Sequence, residues 1–223
     1  MRRYKFLELE EDNIVSGFNY GFIWEIGKWY KVRGKLEMCK NGFHCSPKPL
    51  DAFYYVHGDI LAEVEVRGKS LKHFDKECWR EMRITKAYKW QKKDSVALAI
   101  YSAELVLPNF EKEYPNDDRP RKAIEAAKKV LENDTKENRE AARLAMWTAV
   151  GAARAARSTT WIAGLAAWTA TSAAEAAAEA EITAAWTAAE AAKSAAEAAE
   201  SVANKINKWM MNRIKELDLI KGK

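Results

Sequence analysis

The residues best equipped for chemistry gather in and around Gly42-Phe-His-Cys-Ser46, where Cys39, His44, Cys45, His73 and Cys78 supply the soft donors that zinc prefers. Their spacing argues against a metal site. Cys39 and Cys45 are too far apart for a Cys-x2-4-Cys knuckle, and on a strand His44 and Cys45 would face opposite ways. The expectation is therefore no metal, ordinary buried or half-buried thiols, and His44 as a hydrogen-bonded residue at a strand end. Three cysteines, with no N-terminal apolar signal stretch, speak against a secreted disulfide framework and point to the cytoplasm.

A second cluster is ionic. Pro115, Asn116, Asp117 and Asp118 are turn formers, and an aspartate there can accept from the first free N–H groups of a helix opening at Pro120. Arg119 and Arg121 beside two aspartates exceed what a helix start needs. Asp117, Asp118, Arg119 and Arg121 are thus expected to form a fixed ionic corner, serving as a lock between helices or as a face for a partner.

These clusters sit in two halves of different composition. From Tyr4 to Trp90, β-branched and aromatic residues alternate with polar ones and are cut by glycines, as in short strands. Trp29 to Leu36 reads as a hairpin around Arg33-Gly34. Asp59 to Val66 reads as a strand with Ile60, Ala62, Val64 and Val66 on one face and Glu63 and Glu65 on the other. Between them a strand breaks at Ser46-Pro47 and a short helix follows Pro49, giving a strand, turn, helix, strand unit.

After Trp90 the period changes to about 3.6 residues. Asp94 is a candidate N-cap for a helix that Pro108 should end or kink, a second helix runs from about Pro120 to Glu132, and Asp134 with Glu137 suggests a capping box for a third. From Ala141 to Ala203 alanine dominates, while larger residues fall at helical spacing: Leu144, Trp147 and Val150; Trp161, Leu165 and Trp168; Ile182 and Trp186; Val202, Ile206, Trp209 and Ile214. This predicts tryptophans as core pegs among alanines, with Trp168 and Trp186 on one side. Unbroken, the stretch would run roughly 90 Å at 1.5 Å per residue, so a break is expected near Arg157 to Thr160 and a second near Thr171-Ser172 or Glu181-Ile182. Charges interrupt every run of about 18 apolar residues, which excludes a membrane span. The fold class expected is α+β: a small β-rich head domain over 1–92 and an alanine- and tryptophan-rich antiparallel helical bundle over 93–223.

A net charge of +5 with Lys, Arg and Glu interspersed is the composition of solvated faces and does not imply nucleic acid. The single glutamine, Gln91, beside abundant Lys and Glu is similar to heat-adapted compositions.

Three resemblances add to this reading. Gly42-Phe-His-Cys-Ser, the helix carrying Ala52 and Tyr55, and the strand Leu61 to Gly68 resemble the middle of the ADP-ribosyltransferase superfamily. That resemblance implies an NAD-binding enzyme in which His44 stacks on or holds the cofactor, Ser46 begins a loop and Tyr55 completes the site. The stretch Tyr4-Lys-Phe-Leu lacks the histidine with which that superfamily opens. Over nearly its whole length the same half resembles a small phage and prophage domain of unknown function, through Ser16-Gly-Phe-Asn-Tyr20, Gly27-Lys-Trp-Tyr30, Cys39 to Cys45, Pro49 to Tyr55 and Ala62 to Gly68. It implies a portable head and no established chemistry. The stretch Ala97 to Ala127, with Leu107-Pro, Phe110-Glu, Tyr114-Pro and Asp117-Asp-Arg-Pro-Arg-Lys-Ala-Ile124, resembles a family of immunity proteins from bacterial toxin systems.

The expected function is a non-catalytic, phage- or mobile-element-encoded interaction protein without a cofactor, whose helical half binds a toxin or host defence factor. Alanine faces also suit self-association. Two alternatives are an ADP-ribosyltransferase-like enzyme centred on His44, Ser46 and Tyr55, and nucleic-acid binding through the lysines and arginines of 69–93.

Overall fold

A computed structural model describes residues 2–17, 22–56, 58–157, 161–179, 182–195 and 199–221. The chain forms two compact units, one of Met1–Trp90 with Trp209–Lys223 and one of Gln91–Lys208. The antiparallel sheet and the helical region that follows it make the fold α+β.

In the first unit the strands are β1 (Arg3–Glu10), β2 (Asn13–Val15), β3 (Ile23–Trp24), β4 (Tyr30–Lys31), β5 (Phe43–Cys45), β6 (Ile60–Lys72) and β7 (Glu77–Lys89), with α1 (Pro49–Tyr55) between β5 and β6. Their order is β3-β2-β1-β6-β7-β4, and β5 also pairs with β7. Glu11 and Asp12, both at positive φ (46° and 68°), close the β1–β2 hairpin in the two-residue form whose twist matches the strands. The β6–β7 hairpin carries a bulge between Arg67 and Ser70, where Gly68 takes φ 82° beside the Arg80 side chain.

Alternation sorts the apolar residues as expected. Ile60, Ala62 and Val64 join Leu7, Trp24, Phe43, Met82 and Ile84 in one buried cluster, against which Val66 packs. Phe6, Phe53 and Trp90 form a second, their ring centroids 5.0 to 5.9 Å apart. Glu63 is buried, with Arg2 at 3.2 Å. The hairpin expected over Trp29 to Leu36 does not form: Tyr30 and Lys31 pair instead with Met82 and Glu81 of β7, and Arg80 fixes the following turn by donating to the carbonyls of Val32 and Gly34.

The first unit ends at Trp90, within two residues of the boundary expected at 92/93, but the residues after it are not all part of the helical unit. Residues 209–223 belong to the first unit, where Lys89 N–H donates to the Asp218 carbonyl and Ile220 N–H to that of Ala87, and Ile220 packs on the sheet core. Backbone groups at the end of β7 find their partners there.

In the second unit the helices are α2 (Lys92–Glu113), α3 (Arg119–Glu132), α4 (Lys136–Arg157), α5 (Trp161–Glu179), α6 (Ile182–Ser194) and the first part of α7 (Ala199–Arg213). Asp94 is not the N-cap of α2 but sits inside its first turn. There it accepts from the Gln91 N–H at 2.7 Å and completes a capping box. Pro108 faces solvent and neither ends nor splits the helix, because buried Val106, Leu107 and Phe110 around it hold the turn in place. At α4, Thr135 rather than Asp134 meets the Asn138 N–H, while Asp134 binds Arg139.

Helix α5 packs on α2, α3, α4 and α6, and most of its interior positions are alanines: Ala166, Ala167, Ala170, Ala173, Ala174 and Ala177 are buried, with Thr169, Thr171 and Ser172 beside them, the two threonine hydroxyls donating to the carbonyls of Ala166 and Ala167. The expectation of large pegs among alanines holds for Val202, Ile206 and Ile214, which are buried, and Trp186 is half-buried, but it is corrected for Leu144, Trp147 and Trp168. Trp147 is 64% exposed, Leu144 68% and Trp168 36%. Alanine faces bring helices too close to admit an indole, so these rings stand outside the core they were expected to fill. Helix α4 ends at Arg157 and α5 opens at Trp161, while Ser158 to Thr160 lie outside the described residues. Thr171-Ser172 lies within α5, and α6 begins at Ile182, so Trp168 and Trp186 belong to different helices. Among the described residues no helix is long and apolar enough to cross a membrane.

Candidate functional site

In the first unit β1, β5, α1 and the 39–42 loop enclose a cleft of about 650 Å³, within the usual range of roughly 300–1,000 Å³ for small-molecule sites. Strand β5 is short because its two sides are held differently. Phe43, His44 and Cys45 pair with Trp79, Cys78 and Glu77, after which Ser46 exchanges both backbone hydrogen bonds with Tyr4 at 2.9 Å. Pro47 then ends the strand and Pro49 opens α1 at a position that needs no N–H donor. Gly42, at φ 142°, lies so close to the Cys78 sulfur that a Cβ would stand 2.2 Å from it, so the loop can reach the sheet only with glycine there.

His44, Ser46 and Tyr55 all line this cleft. The His44 Nε2 accepts the Cys39 N–H at 2.9 Å, with Cys39 itself in the left-handed region at φ 62°. Burial, then the nearby Lys5 and Lys76 ammonium groups, lower the His44 pKa, opposed by a backbone hydrogen bond with Gly42. The imidazole is therefore neutral near pH 7 and pins the 39–44 loop. Tyr55 donates to Asp75 Oδ2 at 2.6 Å, and burial together with that carboxylate raises its pKa, so the phenol keeps its proton. Burial, with Glu77 adding to it, pushes the Cys45 thiol up to about 12. None of these groups is poised as a nucleophile or base.

Lysines stand out instead, and residue patterns gave no signal for them because their positions converge only in the fold. Lys5 Nζ donates to the His44 carbonyl at 3.1 Å, and burial lowers its pKa. Lys76 Nζ lies 3.2 Å from the Cys39 sulfur and 4.5 Å from the centre of the Tyr55 ring. Lys5, Lys40 and Lys76 line the cleft, and no carboxylate does among the described residues. Asp75 approaches through the Tyr55 hydroxyl, and the Glu8 carboxylate lies beside Gly17 at the cleft wall. The opposite character comes from Phe22, Trp24 and Phe43, which also line the cleft and meet at 4.9 to 5.8 Å.

The ionic corner lies in the second unit. Asp117 takes both the Arg119 backbone N–H and its guanidinium (2.6 and 2.8 Å), Arg121 forks onto Glu111 at 2.7 Å, and Asp118 pairs with Lys122 at 2.9 Å. Arg121 thus ties α3 to α2, and Arg119 lies over Gly151 of α4. The four predicted residues form three separate pairs rather than one knot. Hydrogen bonding to Arg119 holds the Asp117 pKa below the usual range.

Other candidates gather less. Among the described residues no three His, Cys, Asp or Glu side chains are placed to hold a metal ion. A depression along Glu200, Ser201, Asn204, Lys205 and Lys208 is the open side of one helix. On the β6–β7 face Arg67 and Arg83 lie 4.0 and 4.9 Å from the Trp29 ring and pair with Glu81 and Glu65.

The geometry defines an antiparallel-sheet head with a ligand-sized, lysine-lined cleft, joined to an alanine-packed helical unit. Residues 9–94 match the model of a family described as a domain of unknown function, DUF7666. No curated protein and no solved structure matches the chain. The resemblance of the helical half to immunity proteins gains no support from these comparisons.

Proposed function

We propose that the protein acts by binding rather than by catalysis, and that the head takes up a small anionic ligand in the cleft beside His44. The observation that carries this reading is Lys5 and Lys76, with the more exposed Lys40 that pairs with Glu37 at 3.6 Å, lining the cleft and no carboxylate among the described lining residues. An enclosed positive field of that kind attracts anions and strengthens their contacts in a low-dielectric wall. The engagement of His44 with the Cys39 N–H weighs against an ADP-ribosyltransferase-like reaction there. Nucleic-acid binding through 69–93 is weakened by Arg80 and Arg83, which are taken up by carbonyls and by Glu65.

The test is a titration with inorganic phosphate against chloride at constant ionic strength, followed by the amide resonances of residues 39–46. Saturable shifts in wild type that vanish in Lys76→Met are expected. Shifts that grow linearly and equally in both proteins would remove the reading.

A second reading places a protein partner, such as a toxin or host defence factor, on the helical unit of a phage- or mobile-element-encoded protein. One observation favours it: Leu144 and Trp147, three residues apart on α4, present large apolar groups to solvent. Gentle purification from the native host checks it, since a partner retained equally by Leu144→Ala/Trp147→Ala would not be using that face.

A further inference from the structure

We propose that the ligand of the cleft is a nucleoside monophosphate, with its phosphate between Lys5 and Lys76 and its base against Phe22. This rests on the anion reading above and narrows it to a class. Around His44 the two ammonium groups converge: Lys5 is held by the His44 carbonyl at 3.1 Å, Lys76 lies 3.2 Å from Cys39, and Cys39 is bound to the His44 ring. Lys76, together with Lys5 once an anion lies against its buried amine, and with no lining carboxylate among the described residues, suits a group carrying close to two negative charges, as a phosphate monoester does near neutral pH, better than a carboxylate with one.

The remaining wall is aromatic. Trp24 and Phe43 are buried, whereas Phe22, packed against them and Tyr30 at 4.9 to 5.8 Å, is half-buried and lines the cleft, within reach of a ligand there. Stacking on such a ring tolerates any base, because every base has a π-face. A cavity of about 650 Å³ accommodates base, sugar and one phosphate.

Isothermal titration of the intact protein with adenosine 5′-monophosphate, inorganic phosphate, adenosine and NAD tests the proposal. The monophosphate is expected to bind at least about tenfold more tightly than either phosphate or adenosine. Lys76→Met should weaken the monophosphate and phosphate together by about tenfold. Phe22→Leu, with an unfolding curve checked against wild type, should weaken the monophosphate alone. Phosphate binding as tightly as the monophosphate would overturn the nucleotide class while leaving the anion reading in place. NAD binding more tightly than the monophosphate would overturn the monophosphate class. Binding of neither phosphate nor monophosphate would overturn both the class and the anion reading.

Discussion

In the first unit Phe6, Phe53 and Trp90 meet ring to ring, whereas in the second the interior of α5 is lined by one methyl group after another. Large rigid rings bury much area each but leave irregular spaces where strands end, and the ligand-sized cleft lies in that unit. Alanine buries little area per residue yet favours the helix and lets neighbours close on it, so the second unit gains stability from many small contacts. One core should be sensitive to truncation and the other to enlargement.

Phe53→Ala tests the first half of that contrast most severely. A loss of about 3–5 kcal/mol is expected by chemical denaturation, and a loss under about 1 kcal/mol would erase the distinction. Next comes the buried Arg3–Glu77 pair, joined at 2.6 and 2.9 Å with Trp79 donating to the same carboxylate; breaking it with Glu77→Gln should cost about 3 kcal/mol. Burial alone would raise the Glu77 pKa, but the bonds from Arg3 and Trp79 bring it below its ordinary value. Its contribution is therefore complete above the unfolded value of about 4.3 and is lost as pH falls through the lower folded value. Unfolding free energy followed through acid should fall less steeply there in Glu77→Gln.

The converse test is Ala167→Leu on α5, expected to cost about 1–3 kcal/mol through overpacking; a stabilised variant would show the helices have room to spare. Arg119→Ala should lower stability by less than about 1 kcal/mol, because its ion pair with Asp117 is partly exposed. Trp147→Ala is expected to stay within about 0.5 kcal/mol by thermal unfolding, although it deletes the largest kind of side chain.

The same contrast explains what was legible in the sequence. Period-2 alternation at Ile60, Ala62, Val64 and Val66 identifies a sheet face because a strand has only two sides, and Pro47 and Pro49 mark where β5 stops and α1 starts. Helical spacing of Leu144, Trp147 and Trp168 misled, since a face made of large residues is the inside only when its neighbours cannot pack without it. Where nearly every face carries alanine, the closest packing decides. For the cleft, His44, Ser46 and Tyr55 could be singled out from one continuous stretch. Lys5 and Lys76 could not, because β1 and the β6–β7 turn bring them there from distant parts of the chain.

The return of residues 209–223 to the sheet sets an order of events during synthesis. The strands through Trp90 leave the ribosome first, but the Asp218 carbonyl and Ile220 N–H that complete the end of β7 emerge only after the whole helical unit has been made. At about 5–20 residues per second that interval is on the order of ten seconds. Throughout it the β7 groups that meet Asp218 and Ile220 lack those partners, so the arrival of residues 218–220, rather than formation of the strands through Trp90, is what completes the end of β7.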